Sequence, residues 1–161
     1  MSEDLVILTL TRIEATHLDD LVAQFEALVS EQDPSADPAL ARLTPDAYPE
    51  DADASREFQQ VTRGDLLGRR ARDAAAVRGD LSQIEKADLD EALAPVDVSI
   101  AGDHLDAWMR TLAALRLVLA SRLGIDDEST EHDEDDPSYG LYDWLGYRLE
   151  GLVQVAEQRA G

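Results

Sequence analysis

Twice in this chain an alternating apolar pattern gives way, within a few residues, to a helical one. Val6, Leu8 and Leu10 alternate with Ile7, Thr9 and Thr11. Alternation rich in β-branched residues predicts a short strand. Thr11 and Glu14 then have the spacing of a capping box, with Thr11 as N-cap and Glu14 reaching back. A helix should run on to about Glu31, with Leu18, Leu21, Val22, Phe25, Leu28 and Val29 as its apolar stripe. The second handover follows Val96, Val98 and Ile100. It predicts a helix from about Gly102 to Leu123, striped by Leu105, Trp108, Met109, Leu112, Leu115 and Leu119. Gly124 is its natural C-terminal cap. A shift of 90 residues lays Val6, Leu8 and Leu10 on Val96, Val98 and Ile100. Amphipathic strand–helix units resemble one another by patterning alone, so the shift argues for pairing of the strands rather than for common ancestry.

The rest of the pattern is helical. Asp37 caps a short helix with Pro38 at its first position, and Pro45 and Pro49 break the chain. A long helix follows from about Asp51 to Ile84. Its apolar positions, Phe58, Val61, Leu66, Leu67, Val77 and Leu81, form a thin stripe that leaves room for a partner or a homodimer. Gly64 and Gly68 each cost about 1 kcal/mol against alanine, which predicts a kink or break there. Asp136-Pro137 starts the last helix, packed through Leu141, Trp144, Leu145, Leu149, Leu152 and Val153, with Trp144 and Trp108 sharing the core. The fold class is therefore mainly α. It is a helical bundle forming a single domain over 1–161, with two strand–helix units whose short strands can pair in one small sheet.

Composition excludes several functions. Of 161 residues 44% are hydrophobic, which suits an ordered core. No apolar run approaches the ~20 residues that span a bilayer. The acidic N-terminus lacks the basic region of a signal peptide, so the expected location is cytoplasmic. Cysteine is absent, which removes disulfides, thiolate catalysis and thiolate metal sites. The net charge is −21, which opposes binding to DNA by this chain alone and to anionic lipid.

Candidate chemistry is sparse. Asp126–Asp136 holds eight acids and reads as a solvated, mobile loop. As a calcium loop it would need glycine at its sixth position, where Glu131 stands. His17, His104 and His132 have no metal-ligand spacing. There is no nucleophile elbow, phosphate-cradling loop or zinc-protease motif, so the expectation is a non-enzyme with no cofactor and no metal. Arg63, Arg69, Arg70, Arg72 and Arg78 concentrate positive charge on the long helix and are the candidate partner-binding residues. Asp65, Asp73 and Asp80 lie among them at helical spacing, so ion pairing within the helix competes with that role. Tyr139, Tyr142, Trp144 and Tyr147 cluster on the last helix, where core packing competes with an interface.

The segment Asp37–Phe58, with its motif Leu40-Ala41-Arg42-Leu43, resembles an actinobacterial family, formerly a domain of unknown function, named after the oxidative-stress transcriptional regulator AosR. The resemblance continues at Trp108–Gly124, at Asp136-Pro137 and at Tyr142-Asp-Trp-Leu-Gly146. It implies a non-enzymatic cytoplasmic regulator of transcription and stress response, acting through a sigma factor or RNA polymerase. The family's redox mechanism uses a Cys-x-x-x-Cys pair. This sequence has no cysteine, so that switch does not carry over. Family genes often neighbour the adaptor of the Clp protease, which makes an accessory role in Clp-linked proteolysis the alternative.

Overall fold

A computed structural model of the chain describes residues 5–30, 52–84, 91–123 and 137–160, with side chains from 65 and 139 onward in the second and fourth stretches. Strand β1 (Leu5–Thr11) leads into helix α1 (Arg12–Ser30), and α2 spans Ala52–Leu81. Strand β2 (Pro95–Ala101) leads through a 3-10 turn (Gly102–His104) into α3 (Leu105–Leu123), and α4 spans Pro137–Ala160. The described order is thus strand, helix, helix, repeated once. The protein is mainly α, as its patterning predicts. Asp37–Asp51 and the acidic tract Asp126–Asp136 lie outside the described residues, as do the short helix expected at Asp37 and the cap expected at Gly124. Among the described residues no helix is long and apolar enough to cross a membrane.

The two strands pair antiparallel, with Val6 opposite Ile100, Leu8 opposite Val98 and Leu10 opposite Val96. Leu8 and Val98, superposed by the shift of 90, face each other, so the sheet is centred on equivalent residues of the two units. Arg12 N–H donates to Ala94 C=O at 3.0 Å and extends the ladder at even positions of β1. The main chain of Val6, Leu8 and Leu10 therefore faces β2, and that of Ile7 and Thr9 faces away. Pro95 stands opposite Thr11, between hydrogen-bonded pairs, where its missing N–H costs nothing.

Beyond the strand, the capping box forms as spaced. Thr11 N–H donates to Glu14 Oε1 at 2.8 Å, and Glu14 N–H donates to Thr11 Oγ1 at 3.2 Å. Such a cap is worth about 1 kcal/mol to the helix. Leu18, Val22, Phe25 and Val29 bury α1 on the core, with Leu21 and Leu28 partly buried beside them. Within each unit the two helices pack together, α1 on α2 and α3 on α4, and α2 against α3 joins the halves. Leu67, Ala74, Val77 and Leu81 turn one face of α2 inward.

Helix α2 runs unbroken through Gly64 and Gly68, contrary to the break those glycines predict. At Gly68 a Cβ would meet Arg72 Nη1 at 3.7 Å, an ordinary contact, so no close packing requires glycine there. The buried face from Leu67 to Leu81 outweighs the poor propensity. Helix α3 is also more buried than its stripe. Ala107, Thr111, Ala114, Val118 and Ala120 are covered as well, because α3 packs on both α2 and α4. Trp108 is fully buried, and Trp144 is partly buried against the same core.

Candidate functional site

Helix α2 carries the arginines expected to meet a partner, and the neighbouring helices divide them. Arg78 turns to α1, where its Nε donates to Asp19 Oδ1 at 3.3 Å and its Nη1 lies 3.8 Å from Glu26 Oε1. It is a brace between helices. The Arg63 side chain lies outside the described residues. Arg69, Arg70 and Arg72 remain together on one turn.

Among the described residues the acids of α2 do not neutralise these three. Intrahelical pairing is replaced at Asp73 and Asp80 by bonds to the second unit. Asp73 is held by Arg110 of α3, whose Nε donates to Oδ2 at 2.9 Å and Nη2 to Oδ1 at 3.1 Å. That two-pronged bond outweighs burial and raises the Arg110 pKa above its ordinary value, with smaller help from the charges of Asp73 and Asp106. Asp80, seven residues on and nearly buried, accepts from Trp108 Nε1 at 2.8 Å and lies 3.1 Å from His104 Nδ1. Both carboxylates face α3, so neither is available to its own helix. Asp65 is exposed.

Between α2 and α3 this leaves a groove of about 470 Å³, lined by Leu66, Arg69, Arg70, Arg72, Asp73 and Arg110. Arg69 and Arg72 are exposed and Arg70 is half-buried. Among the described residues no carboxylate pairs with any of the three. The Arg70 Nε is buried and makes no hydrogen bond among the described residues. Guanidinium groups offer planar paired donors that match carboxylate or phosphate oxygens. The lining's one carboxylate, Asp73, already accepts both of its bonds from Arg110. The groove is therefore equipped to hold an anionic group.

The other candidate residues separate. Among the described residues no three His, Asp or Glu side chains converge to hold a metal ion. His104 is engaged by Asp80, His17 is exposed on α1, and His132 lies outside the described residues. Tyr139, Tyr142 and Trp144 are half-buried, and Tyr147 is 71% exposed. Arg116 lies over the Tyr142 ring at 4.1 Å and donates from Nε to the Tyr142 carbonyl at 3.2 Å. Gly146 makes room for it, since a Cβ there would stand 2.9 Å from Arg116 Cζ.

Arg110 and the partners of Asp73 and Asp80 escape a reading of the sequence, because helical spacing reveals neighbours along one helix and not across two. The available signal was the spacing of seven between Asp73 and Asp80, on the same side as Ala74 and Val77. No curated protein and no solved structure matches the chain. A family model, described as a domain of unknown function (DUF2017), matches residues 1–156, and the chain belongs to that family.

Proposed function

We propose that this chain is a non-enzymatic cytoplasmic regulatory protein that grips an acidic surface of a sigma factor or RNA polymerase through Arg69, Arg70 and Arg72. The observation that carries the proposal is the unpaired state of these arginines. In a chain of net charge −21, carboxylates are abundant, yet among the described residues none reaches them. An unpaired cluster against such a background is a contact waiting for an external anion. The resemblance to AosR-type transcriptional regulators supplies the class of partner. Arg78 stands outside the proposed contact, because Asp19 and Glu26 hold it. The role needs no cysteine. It is a charge-steered protein contact, and DNA is left to the partner.

Capture from a native lysate with the full chain as bait tests the reading. Polymerase or sigma subunits retained at low salt and released as salt rises support it. Retention of Clp protease components in their place would move the chain to regulated proteolysis.

A further inference from the structure

A second surface lies at the opposite element of the fold and makes no use of the arginines. The two edges of the sheet are unlike. On β2 the residues whose main chain faces outward include Pro95 and Asp97, a proline and a charge that discourage strand addition. On β1 the sequence Leu5–Thr11 has neither proline nor charge. Its outward-facing main chain is that of Ile7 and Thr9, by the ladder parity set by Arg12 and Ala94. Ile7 is 53% exposed. Facing this edge is α4, and between them runs a groove of about 370 Å³ bordered by Ile7, Leu8, Thr9, Tyr147, Gly151 and Val155. An edge strand beside a helix is the geometry that receives an extended peptide as an added strand.

Charge selects the occupant. Glu150 lines the groove, and Asp143 and Glu157 lie seven residues to either side of it on α4, all three exposed. Spacing of seven places them on one stripe of the helix. Arg148, also at the groove, is turned to Glu14 at 3.6 Å. Glu150 is the one carboxylate of the lining, and the stripe it shares with Asp143 and Glu157 makes that side of α4 acidic. A second copy would bring another net charge of −21, and its β1 strand carries no basic residue to meet this acidic side of α4.

We propose that the β1 edge and α4 receive an extended segment of a partner protein, apolar at alternate positions and carrying Lys or Arg at its ends. Main-chain bonds to Ile7 and Thr9 hold the segment, and the stripe of Asp143, Glu150 and Glu157 attracts its basic ends.

The test uses the full chain and a fluorescent synthetic peptide, Lys-Val-Thr-Val-Thr-Val-Lys, read by anisotropy. Two further peptides carry N-methyl groups on alternate amides, one set for each register. Binding by the parent peptide is expected, with one methylated register weaker by about tenfold or more and the other little changed. Ile7→Lys, an exposed substitution, should weaken binding similarly while thermal melting stays unchanged. No binding by the parent peptide, or equal binding by all three peptides, overturns the proposal. A concentration-dependent doubling of mass in light scattering that Ile7→Lys abolishes would assign the edge to a second copy and overturn it as well.

Discussion

The indole N–H of Trp144 donates to Glu14 Oε2 at 2.6 Å, joining the first turn of α1 to the N-terminal third of α4. Glu14 is also the capping-box carboxylate, bonded through its other oxygen to the Thr11 N–H. One side chain thus caps a helix of the first unit and fastens it to the second. Burial alone would raise its carboxyl. The bonds from the Thr11 main chain, from Trp144 and from the Thr11 side chain, with the charge of Arg148, outweigh burial and hold the pKa below its ordinary value of 4.5.

A lowered carboxyl pKa contributes stability above the unfolded-state value, and that stability is lost as the pH falls through the folded-state value. The chain's large negative charge has the opposite trend, since acid relieves repulsion, so the useful quantity is a difference. Urea unfolding of the wild type and of Glu14→Gln should show a constant stability gap above about pH 5 that narrows on further acidification. A gap that does not change with pH contradicts this role for the carboxylate.

Trp108 and Asp80 form the corresponding tie between α2 and α3, in a more buried setting. Trp108→Phe keeps most of the ring's packing but removes the donor to a nearly buried carboxylate. Loss of about 1–3 kcal/mol in chemical denaturation is expected, the cost of leaving a buried acceptor short of a partner. A loss no larger than that of an exposed substitution would show that water replaces the indole.

Thr111 is 1% exposed, and among the described residues its hydroxyl has no hydrogen-bond partner. Thr111→Val exchanges that hydroxyl for a methyl of nearly the same shape. It should stabilise the protein by about 1 kcal/mol, seen as a higher midpoint with an unchanged slope in denaturant. A lower midpoint would mean that the hydroxyl is bonded in solution.

Gly68 lies within α2 with ordinary room for a methyl group. Gly68→Ala should raise the unfolding free energy by up to about 1 kcal/mol, through helix propensity alone. Differential scanning calorimetry reads the change directly, and a fall in melting temperature would reveal crowding against Arg72.

The local features of this fold and the pairing of its two strands were legible in the sequence, and the side-chain contacts between helices were not. Thr11 and Glu14 are three residues apart, so the capping box needs only local geometry, and it formed as spaced. The alternation at Val6–Leu10 and Val96–Ile100 identified both strands, but their antiparallel register depends on how α1 and α3 pack. The arginines of α2 were visible as a strip. That Arg78 belongs to α1, and that Arg110 withdraws Asp73, follows from crossings between helices that no spacing along one helix encodes. The break expected at Gly68 failed for the same reason, since propensity is local and the burial of Leu67, Ala74 and Val77 is not.

The central claim is that Arg69, Arg70 and Arg72 are the partner contact. The most direct measurement is capture of RNA polymerase or sigma factor by the full chain and by a variant with all three arginines replaced by alanine, both confirmed folded by circular dichroism and melting temperature. The account predicts that the wild type retains these subunits at low salt, and that the variant loses most of that capture with its fold intact. Equal capture by the folded variant would contradict it.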